Sequence, residues 1–303
     1  DVAVVFVGLT DEYETEGNDR SHIDIPPVHN QLVEEILKVN PNTVVVLSGG
    51  ASVRLPWADK VPAILNMFLT GQAGGSAVCD IIFGDVNPSG KLAETYPIAL
   101  EDNSSYNFFP GTSVSVEYRE SVYVGYKYYD TAKKEVAFPF GHGLSYTTFE
   151  YSDVKVSSDK IKDTDTVTVS FKIKNTGAVD GAEVAQIYVN DVESTIYRPV
   201  KELRAFKKVF LKAGEETEVS VELDKRAFAY YNVELGDWHV ESGDFKILVG
   251  ASSRDIRLET TVFVESTVEA RVPDYKETAP SYYGANIMNV SADEFKAVYG
   301  KEL

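Results

Sequence analysis

The sequence has 303 residues, of which 44% are hydrophobic and 25% are charged, as in an ordinary globular protein. Its formal net charge of −18 has the wrong sign for a nucleic-acid or anionic-membrane partner. No apolar run reaches the roughly eighteen residues that a membrane span needs. The histidines show no metal-ligand spacing, and the single cysteine, Cys79, lies in an apolar helical pattern. We therefore expect no metal and a buried, inert thiol.

The chain opens on a predicted buried strand, Asp1–Val7, which is a short apolar run rich in β-branched residues. The polar stretch Gly8–Arg20 follows at once. In open α/β sheets, ligands bind beyond the carboxyl ends of the strands, so acid/base chemistry could be placed in such a loop. A merely solvated acidic loop is the alternative. Its carboxylates are Asp11, Glu12, Glu14, Glu16 and Asp19.

Helical and strand patterns alternate up to about residue 100. The segment Val28–Val39 predicts a helix, started by Pro26-Pro27, and further strands are predicted at Thr43–Leu47 and Ala63–Leu69. Another helix should run from the glycines at 71–75 to Phe83. This order predicts parallel strands joined by right-handed crossovers. The first helix should bury one face, formed by Leu32, Val33, Ile36 and Leu37.

A nucleotide site is not expected at the glycine-bearing turns, because neither a G-x-G-x-x-G pattern nor a P-loop lysine is present. From residue 87 to residue 143 the chain is rich in loops and aromatic residues. Alternating segments then predict an all-β domain of immunoglobulin-like type. Its clearest predicted strands are Thr166–Lys174, Ala182–Val189, Leu203–Leu211, Thr217–Leu223 and Gly243–Gly250.

The last part of the sequence loses this alternation. Pro273–Pro280 is typical of an extended linker, and a capping box at Ser291 and Glu294 predicts a short helix over Phe295–Tyr299. Because the chain starts within a strand and without methionine, we expect it to be part of a longer protein. The compartment stays open, with the cytoplasm slightly favoured over export.

Several motifs in a fixed order resemble glycoside hydrolase family 3 β-glucosidases. The segments that carry the resemblance to the second domain of that family are Glu16-Gly-Asn-Asp-Arg20, Gly84-Asp-Val-Asn-Pro-Ser-Gly-Lys-Leu92, Tyr123-Val-Gly-Tyr-Lys-Tyr-Tyr-Asp130 and Phe138-Pro-Phe-Gly-His-Gly-Leu-Ser-Tyr-Thr-Thr-Phe149. Arg198-Pro-Val-Lys-Glu-Leu203 and Gly250–Ile256 resemble the fibronectin type III-like domain of the family. The similarity covers about residues 1–265.

The resemblance implies an α/β fold in three parts. A mostly parallel three-layer α/β sandwich is expected over residues 1–150, incomplete at its N-terminus, and an all-β fibronectin type III-like sandwich over residues 151–265. Residues 266–303 should form a linker with a short helix that leads towards a (β/α)8 barrel outside this chain.

The same resemblance implies a retaining β-glucosidase that hydrolyses terminal β-linked glucose or a similar sugar. Glu16 would be its general acid/base, with Glu14 as second choice and Glu12 as third. An aspartate of the barrel would be the nucleophile. We expect Arg20 to pair with Asp19 or a backbone carbonyl and so to anchor the loop.

His22 and Trp57 are further candidates for contact with substrate. His22 could bond a sugar hydroxyl or simply stabilise the loop, and Trp57 could wall the aglycone site or pack in the core. The expected partners are a small oligosaccharide or glycoside and the barrel domain, with a homo-oligomer possible and no cofactor. The alternative is a non-catalytic carbohydrate-binding or scaffolding module.

Overall fold

The computed structural model describes residues 1–300, and residues 301–303 of the expected C-terminal linker lie outside the described part. The chain forms two compact units that are interleaved along the sequence. The domain limits expected at residues 150 and 265 stay a prediction. The first unit consists of Asp1–Val86, Thr95–Asn103 and Glu135–Phe138, and the second of Asn87–Glu94, Ser104–Lys134 and the residues from Pro139 onward.

The first unit is built on a parallel sheet of three strands in the order β1-β2-β3, with one helix between β1 and β2 and a second helix after β3. Its elements are β1 (Ala3–Gly8), α1 (Pro27–Val39), β2 (Thr43–Ser48), β3 (Ala63–Phe68), α2 (Gly74–Ile82), β4 (Tyr96–Pro97), a 3-10 turn at Leu100–Asp102 and β5 (Val136–Phe138). The parallel pairing is as predicted, but the predicted β-α-β-α-β order is wrong: the chain runs β-α-β-β-α, because a loop without a helix connects β2 to β3.

Helix α1 begins where the sequence indicates, with proline at its first position. Pro27 has no N–H to leave unpaired there, and its φ already suits a helix. The predicted buried face is only partly correct: Val33 is fully buried, whereas Leu32 is exposed. Since α1 packs on both β1 and β2, the residues nearest the groove between these strands are the ones that are covered.

Two expectations of burial in this unit are wrong. Along β1, Val5 and Val7 are buried but Phe6 is exposed, because successive side chains of a strand point to opposite faces. Along α2, Gly74 and Val78 are buried and Cys79 is exposed. A residue next to Val78 is turned about 100° around the helix axis, which takes the thiol away from the packed side.

The second unit contains a β-sandwich, as the alternating segments predict. One sheet has the order β10-β9-β14-β15-β7 and the other β11-β8-β6. Its elements are α3 (Tyr126–Thr131), β6 (Phe149–Val156), β7 (Lys160–Lys162), β8 (Val167–Asn175), β9 (Gly181–Asp191), β10 (Glu202–Leu211), β11 (Glu216–Leu223), α4 (Lys225–Phe228), β12 (Tyr230–Asn232), β13 (Asp237–His239), β14 (Gly243–Gly250), β15 (Ile256–Glu265) and α5 (Ala292–Tyr299).

The core of the sandwich lies between its two sheets. Phe171 and Ile173 of β8 belong to the same buried cluster as Ile187 of β9 and Phe245 and Ile247 of β14. Burial alternates along most of β8 and β14, which is the pattern of a sheet with one face covered, whereas residues 185–189 of β9 are all buried. The five strands that the alternation predicts are all present.

The C-terminal segment is packed onto the second unit and is not a solvated linker. Ala279, Tyr282 and Ile287 are fully buried, and the Tyr282 hydroxyl donates to the carbonyl of Arg119 at 2.9 Å. Tyr282 and Ile287 lie in 3-10 turns, which a search for alternating hydrophobic residues does not detect. The capping box of Ser291 and Glu294 is present at the start of α5.

None of the helices among residues 1–300 is both long enough and apolar enough to cross a membrane.

Candidate active site

The acidic loop starts where β1 and β2 end side by side. Gly8 pairs with Ser48 in the parallel ladder, and a Cβ at Gly8 would lie 2.0 Å from the carbonyl oxygen of Ser48. Only glycine allows so close an approach of two backbones. The loops that follow the two strands therefore leave the sheet at the same edge, and Leu9 N still donates to Ser48 O at 2.9 Å.

Glu14 is tied to the neighbouring loop. Its Oε1 accepts a hydrogen bond from the backbone N–H of Gly50 at 2.6 Å, across 36 residues of sequence. Glu14 lies at the end of a turn in which Tyr13 N and Glu14 N both donate to the carbonyl of Thr10. The half-buried carboxylate of Glu14 thus joins the ends of β1 and β2.

Glu16 is exposed, and within residues 1–300 its side chain makes no hydrogen bond or ion pair. The next residue, Gly17, has φ +90°, a backbone conformation that residues with a side chain rarely adopt. Glu12 is exposed as well. In this loop the Glu14 carboxylate is therefore held by the backbone, whereas those of Glu12 and Glu16 are exposed.

The expected pairing of Asp19 with Arg20 is not formed. Asp19 is exposed, and Arg20 is partly buried with its Nη1 shielded from solvent. Among the described residues that nitrogen has no hydrogen-bond acceptor. The anchoring role of the two residues thus stays a prediction, for which this chain by itself supplies no contact.

His22 stabilises the loop locally. Its Nδ1 accepts from the backbone N–H of Asp24 at 3.2 Å, and its ring meets that of Tyr13 edge-on with 5.9 Å between the centroids. An accepting Nδ1 places the proton of the neutral ring on Nε2. Because His22 is exposed, that N–H can still donate to a sugar hydroxyl. Both readings of this histidine remain compatible with its position.

Asp24 closes the loop through an ion pair that the sequence pattern did not reveal. Its two oxygens accept from Arg54 Nε and Nη2 at 2.6 and 2.8 Å, and Arg54 N donates to the carbonyl of Ile23. The hydrogen bond and the charge of Asp24 raise the pKa of the Arg54 guanidinium. The two residues lie 30 positions apart, so no local motif links them.

Trp57 is a core residue. Its ring is fully buried, and its Nε1 donates to Asn30 Oδ1 at 2.8 Å. A ring without exposed surface offers no face to a sugar, so the aglycone-wall interpretation of Trp57 is not supported and core packing is what the structure shows. The hydrogen bond connects α1 to the segment that follows β2.

A depression of about 410 Å³ opens beside the N-terminus of α1. Its surface is mainly apolar, with Ile25, Pro27 and Pro56 among the lining residues beside Asp24, Asn30, Gln31, Glu34 and Arg54. Neither Glu14 nor Glu16 belongs to that lining. The described residues contain no group of three or more His, Cys, Asp or Glu side chains that could hold a metal ion.

Comparison with known proteins places these features in a family. Residues 1–146 match the model of the glycosyl hydrolase family 3 C-terminal domain, and residues 183–253 match a fibronectin type III-like domain. The chain is 56% identical over 271 residues to thermostable β-glucosidase B of Acetivibrio thermocellus, covering 89% of this chain and 36% of that protein. It is 47% identical over 266 residues to an exo-α-(1→6)-L-arabinopyranosidase of Bifidobacterium breve, covering 88% and 35%.

Solved structures show the same likeness. The family 3 β-glucosidase of Bifidobacterium adolescentis superimposes with a TM-score of 0.86 at 44% identity, over 95% of this chain and 43% of that one. A β-glucosidase of Kluyveromyces marxianus in complex with glucose gives a TM-score of 0.83 at 44% identity, over 88% and 32%. The chain spans about a third of the length of the curated relatives named above.

Proposed function

The chain belongs to glycoside hydrolase family 3, as its C-terminal region, and on that premise we propose that it supplies the general acid/base of a retaining β-glucosidase. The substrate is a small oligosaccharide or glycoside with a terminal β-linked glucose. The partner is a (β/α)8 barrel that provides an aspartate nucleophile, as the resemblance implies.

One observation carries this proposal. At the carboxyl edge of a parallel sheet, Glu14 is held by Gly50 N while Glu16 is free and exposed two residues further on. A proton donor must reach the glycosidic oxygen with an unoccupied carboxyl group, a requirement that both Glu12 and Glu16 meet, and the family resemblance favours Glu16 between them. Glu14 would have to release Gly50 first, which makes it the second choice.

The reaction needs two carboxyl groups about 5–5.5 Å apart, one on each side of the scissile bond. The barrel aspartate attacks the anomeric carbon while Glu16 protonates the departing oxygen. Glu16, then a carboxylate, takes a proton from the water that hydrolyses the glycosyl-enzyme. Water and two carboxyl groups suffice, so the proposal includes no cofactor.

The proton donor must stay protonated near neutral pH, which requires burial or nearby negative charge. Glu16 is exposed in this chain, so the proposal assigns its burial to the barrel that closes over the loop. We propose that Arg20 and Asp19 take their anchoring role in the same contact, since neither pairs with the other in this chain. His22 Nε2 would donate to a substrate hydroxyl. A homo-oligomer remains a prediction.

The stereochemistry of the first product tests the proposal. Proton NMR during hydrolysis of 4-nitrophenyl β-D-glucopyranoside by an enzyme that contains this chain should show β-glucose first, and α-glucose only as mutarotation proceeds. Initial release of α-glucose would overturn the retaining mechanism, and absence of glucose release would overturn the activity itself.

A second candidate substrate follows from the relatives. Two exo-α-(1→6)-L-arabinopyranosidases, from Bifidobacterium breve and Bifidobacterium longum, are 47% and 46% identical to this chain. Release of L-arabinose from 4-nitrophenyl α-L-arabinopyranoside, compared by kcat/KM with the β-glucoside, decides between the two sugars. The proposed roles of Glu16 and the barrel aspartate are the same in both cases.

A further inference from the structure

A second depression, of about 300 Å³, lies in the β-sandwich of the second unit. It is formed where β10, β11 and α4 meet, and Leu203 and Leu223 are among its apolar lining residues. Its polar side chains are Arg204, Glu222, Asp224 and Arg226. These side chains lie on three different elements and converge on one concavity, although nothing in the proposed hydrolysis uses them.

A β-bulge directs Arg204 into this depression. The register between β10 and β9 shifts between Leu203 and Ala205, which leaves Arg204 as the extra residue. Bulges re-aim a side chain and are over-represented at sheet edges, and β10 is an edge strand of its sheet. Arg204 Nη2 donates to Glu202 at 2.6 Å, whereas its Nε is shielded and has no acceptor among the described residues.

The second guanidinium is held by an aromatic ring. The Arg226 guanidinium carbon lies 3.4 Å from the centre of the Trp238 ring, a cation–π contact that fixes the side chain. Trp238 meets Tyr231 edge-on across the β12–β13 hairpin, with 5.5 Å between the ring centroids. Tyr231 is half exposed, so an aromatic surface lies next to the polar one.

The charges around the depression are balanced. The guanidinium groups of Arg204 and Arg226 stand against the carboxylates of Glu222 and Asp224. Glu202 is shared by Arg204 with two other cations, Arg198 and Lys127. Since the whole chain carries a net charge of −18, the surroundings disfavour an anion. They suit a neutral ligand that offers donors and acceptors together.

We propose that the depression between β10, β11 and α4 is a carbohydrate-binding site for a neutral oligosaccharide. Adjacent sugar hydroxyls match the forked donors of the arginines, the paired oxygens of Glu222 and the second oxygen of Asp224, whose Oδ1 accepts from Arg226 N at 2.9 Å. The half-exposed Tyr231 ring, which meets Trp238 edge-on, would cover a sugar face. Binding of this kind goes beyond the proposed hydrolysis and does not depend on it.

The two tryptophans of the chain allow a direct test. In a ¹H–¹⁵N spectrum, the indole signal of Trp238 reports on the depression, and that of Trp57, in the first unit, is an internal reference. The probe is a thio-linked cellotetraose, which resists hydrolysis, so the result is independent of any glucosidase activity. We expect a saturable shift of the Trp238 signal and an unchanged Trp57 signal.

The matched variants lie on one strand. Glu222→Ala removes a carboxylate of the depression and should raise Kd at least tenfold, whereas Glu218→Ala, also exposed on β11 and outside the depression, should leave Kd within twofold. No saturable shift of Trp238, or equal Kd in Glu222→Ala and the unaltered chain, would overturn the proposal. A comparable shift with sodium acetate would instead identify an anion site and overturn it as well.

Discussion

Glu14 and Gly50 join the loops that follow β1 and β2, with 2.6 Å between Glu14 Oε1 and Gly50 N. The contact holds the acidic loop at the edge of the sheet and leaves Glu16 free two residues later. Substitution at Gly50 would disturb it, because a Cβ there would lie 3.0 Å from Glu14 Oε1 and 3.1 Å from Leu69 Cδ1. The loop is therefore positioned by one glutamate and offers another for chemistry.

Removal of the Glu14 carboxylate should loosen this loop. A hydrogen bond to a charged group contributes about 1.5–3 kcal/mol when it is well shielded, and about 1 kcal/mol is reasonable at this half-buried position. Glu14→Ala should therefore speed amide hydrogen exchange of Gly50 roughly fivefold. Mass spectrometry of the peptides that cover residues 9–16 and 48–52 measures this change.

Two control variants separate position from charge. Glu14→Gln keeps an oxygen that can accept from Gly50 and should exchange almost as slowly as the unaltered chain. Glu16→Ala should leave exchange in both peptides unchanged, because its side chain makes no hydrogen bond or ion pair with any of the residues from 1 to 300. Equal acceleration in Glu14→Ala and Glu16→Ala would contradict the division of roles.

Trp57 and Asn30 should be energetically coupled. Trp57→Phe removes the donor of the 2.8 Å bond to Asn30 Oδ1 in a fully buried setting, so we expect a loss of about 1–3 kcal/mol in the free energy of unfolding. Together with Asn30→Ala, a double-mutant cycle in denaturant should give a coupling of at least about 0.5 kcal/mol. If the effects of the two substitutions on the free energy of unfolding are additive and Trp57→Phe raises KM, the result would favour Trp57 as a wall of the aglycone site.

Arg198 should be among the most sensitive positions of the second unit. It binds Asp191 at 3.1 Å and Glu202 at 3.0 Å, and the Arg198 and Asp191 side chains are only 7% and 5% exposed. Arg198→Ala leaves the buried Asp191 carboxylate without this partner, which typically costs about 3–5 kcal/mol of stability, while Glu202 keeps Arg204 and Lys127.

Denaturant unfolding measures this loss, and a surface pair provides the comparison. Lys246→Ala removes the ion pair with Glu259. The two side chains are 42% and 48% exposed, so the loss should be no more than about 1 kcal/mol. Similar losses for the two variants would show that the buried pair is not important for stability.

The spacing of hydrophobic residues and the residues at turns and helix ends predict most of the strands and helices. Alternation located β8, β9, β10, β11 and β14 to within two residues at each end, and proline placed the start of α1. What the pattern missed depends on neighbours in space. Phe6 and Cys79 are apolar residues that packing leaves exposed, and Tyr282 is buried in a 3-10 turn that has no periodic signal.

The candidate site shows the same limit. Motifs located the acidic loop and named its glutamates, but the separate roles of Glu14 and Glu16 depend on a contact with Gly50, 36 residues away. The pair Asp24–Arg54 is equally distant in sequence and was not anticipated. From its neighbours in sequence, Trp57 could line the aglycone site or pack in the core, and its full burial in the structure decides for the core.

The most direct test of the central claim is the dependence of Glu16→Ala on the leaving group. In an enzyme that contains this chain, the variant should lose about 10²–10⁴-fold in kcat/KM on cellobiose, whose departing hydroxyl needs a proton. On 2,4-dinitrophenyl β-D-glucopyranoside, kcat/KM should fall less than about tenfold, because the 2,4-dinitrophenolate leaving group departs without protonation. Equal losses on the two substrates, or the same selectivity in Glu14→Ala and none in Glu16→Ala, would contradict the assignment of Glu16 as the proton donor.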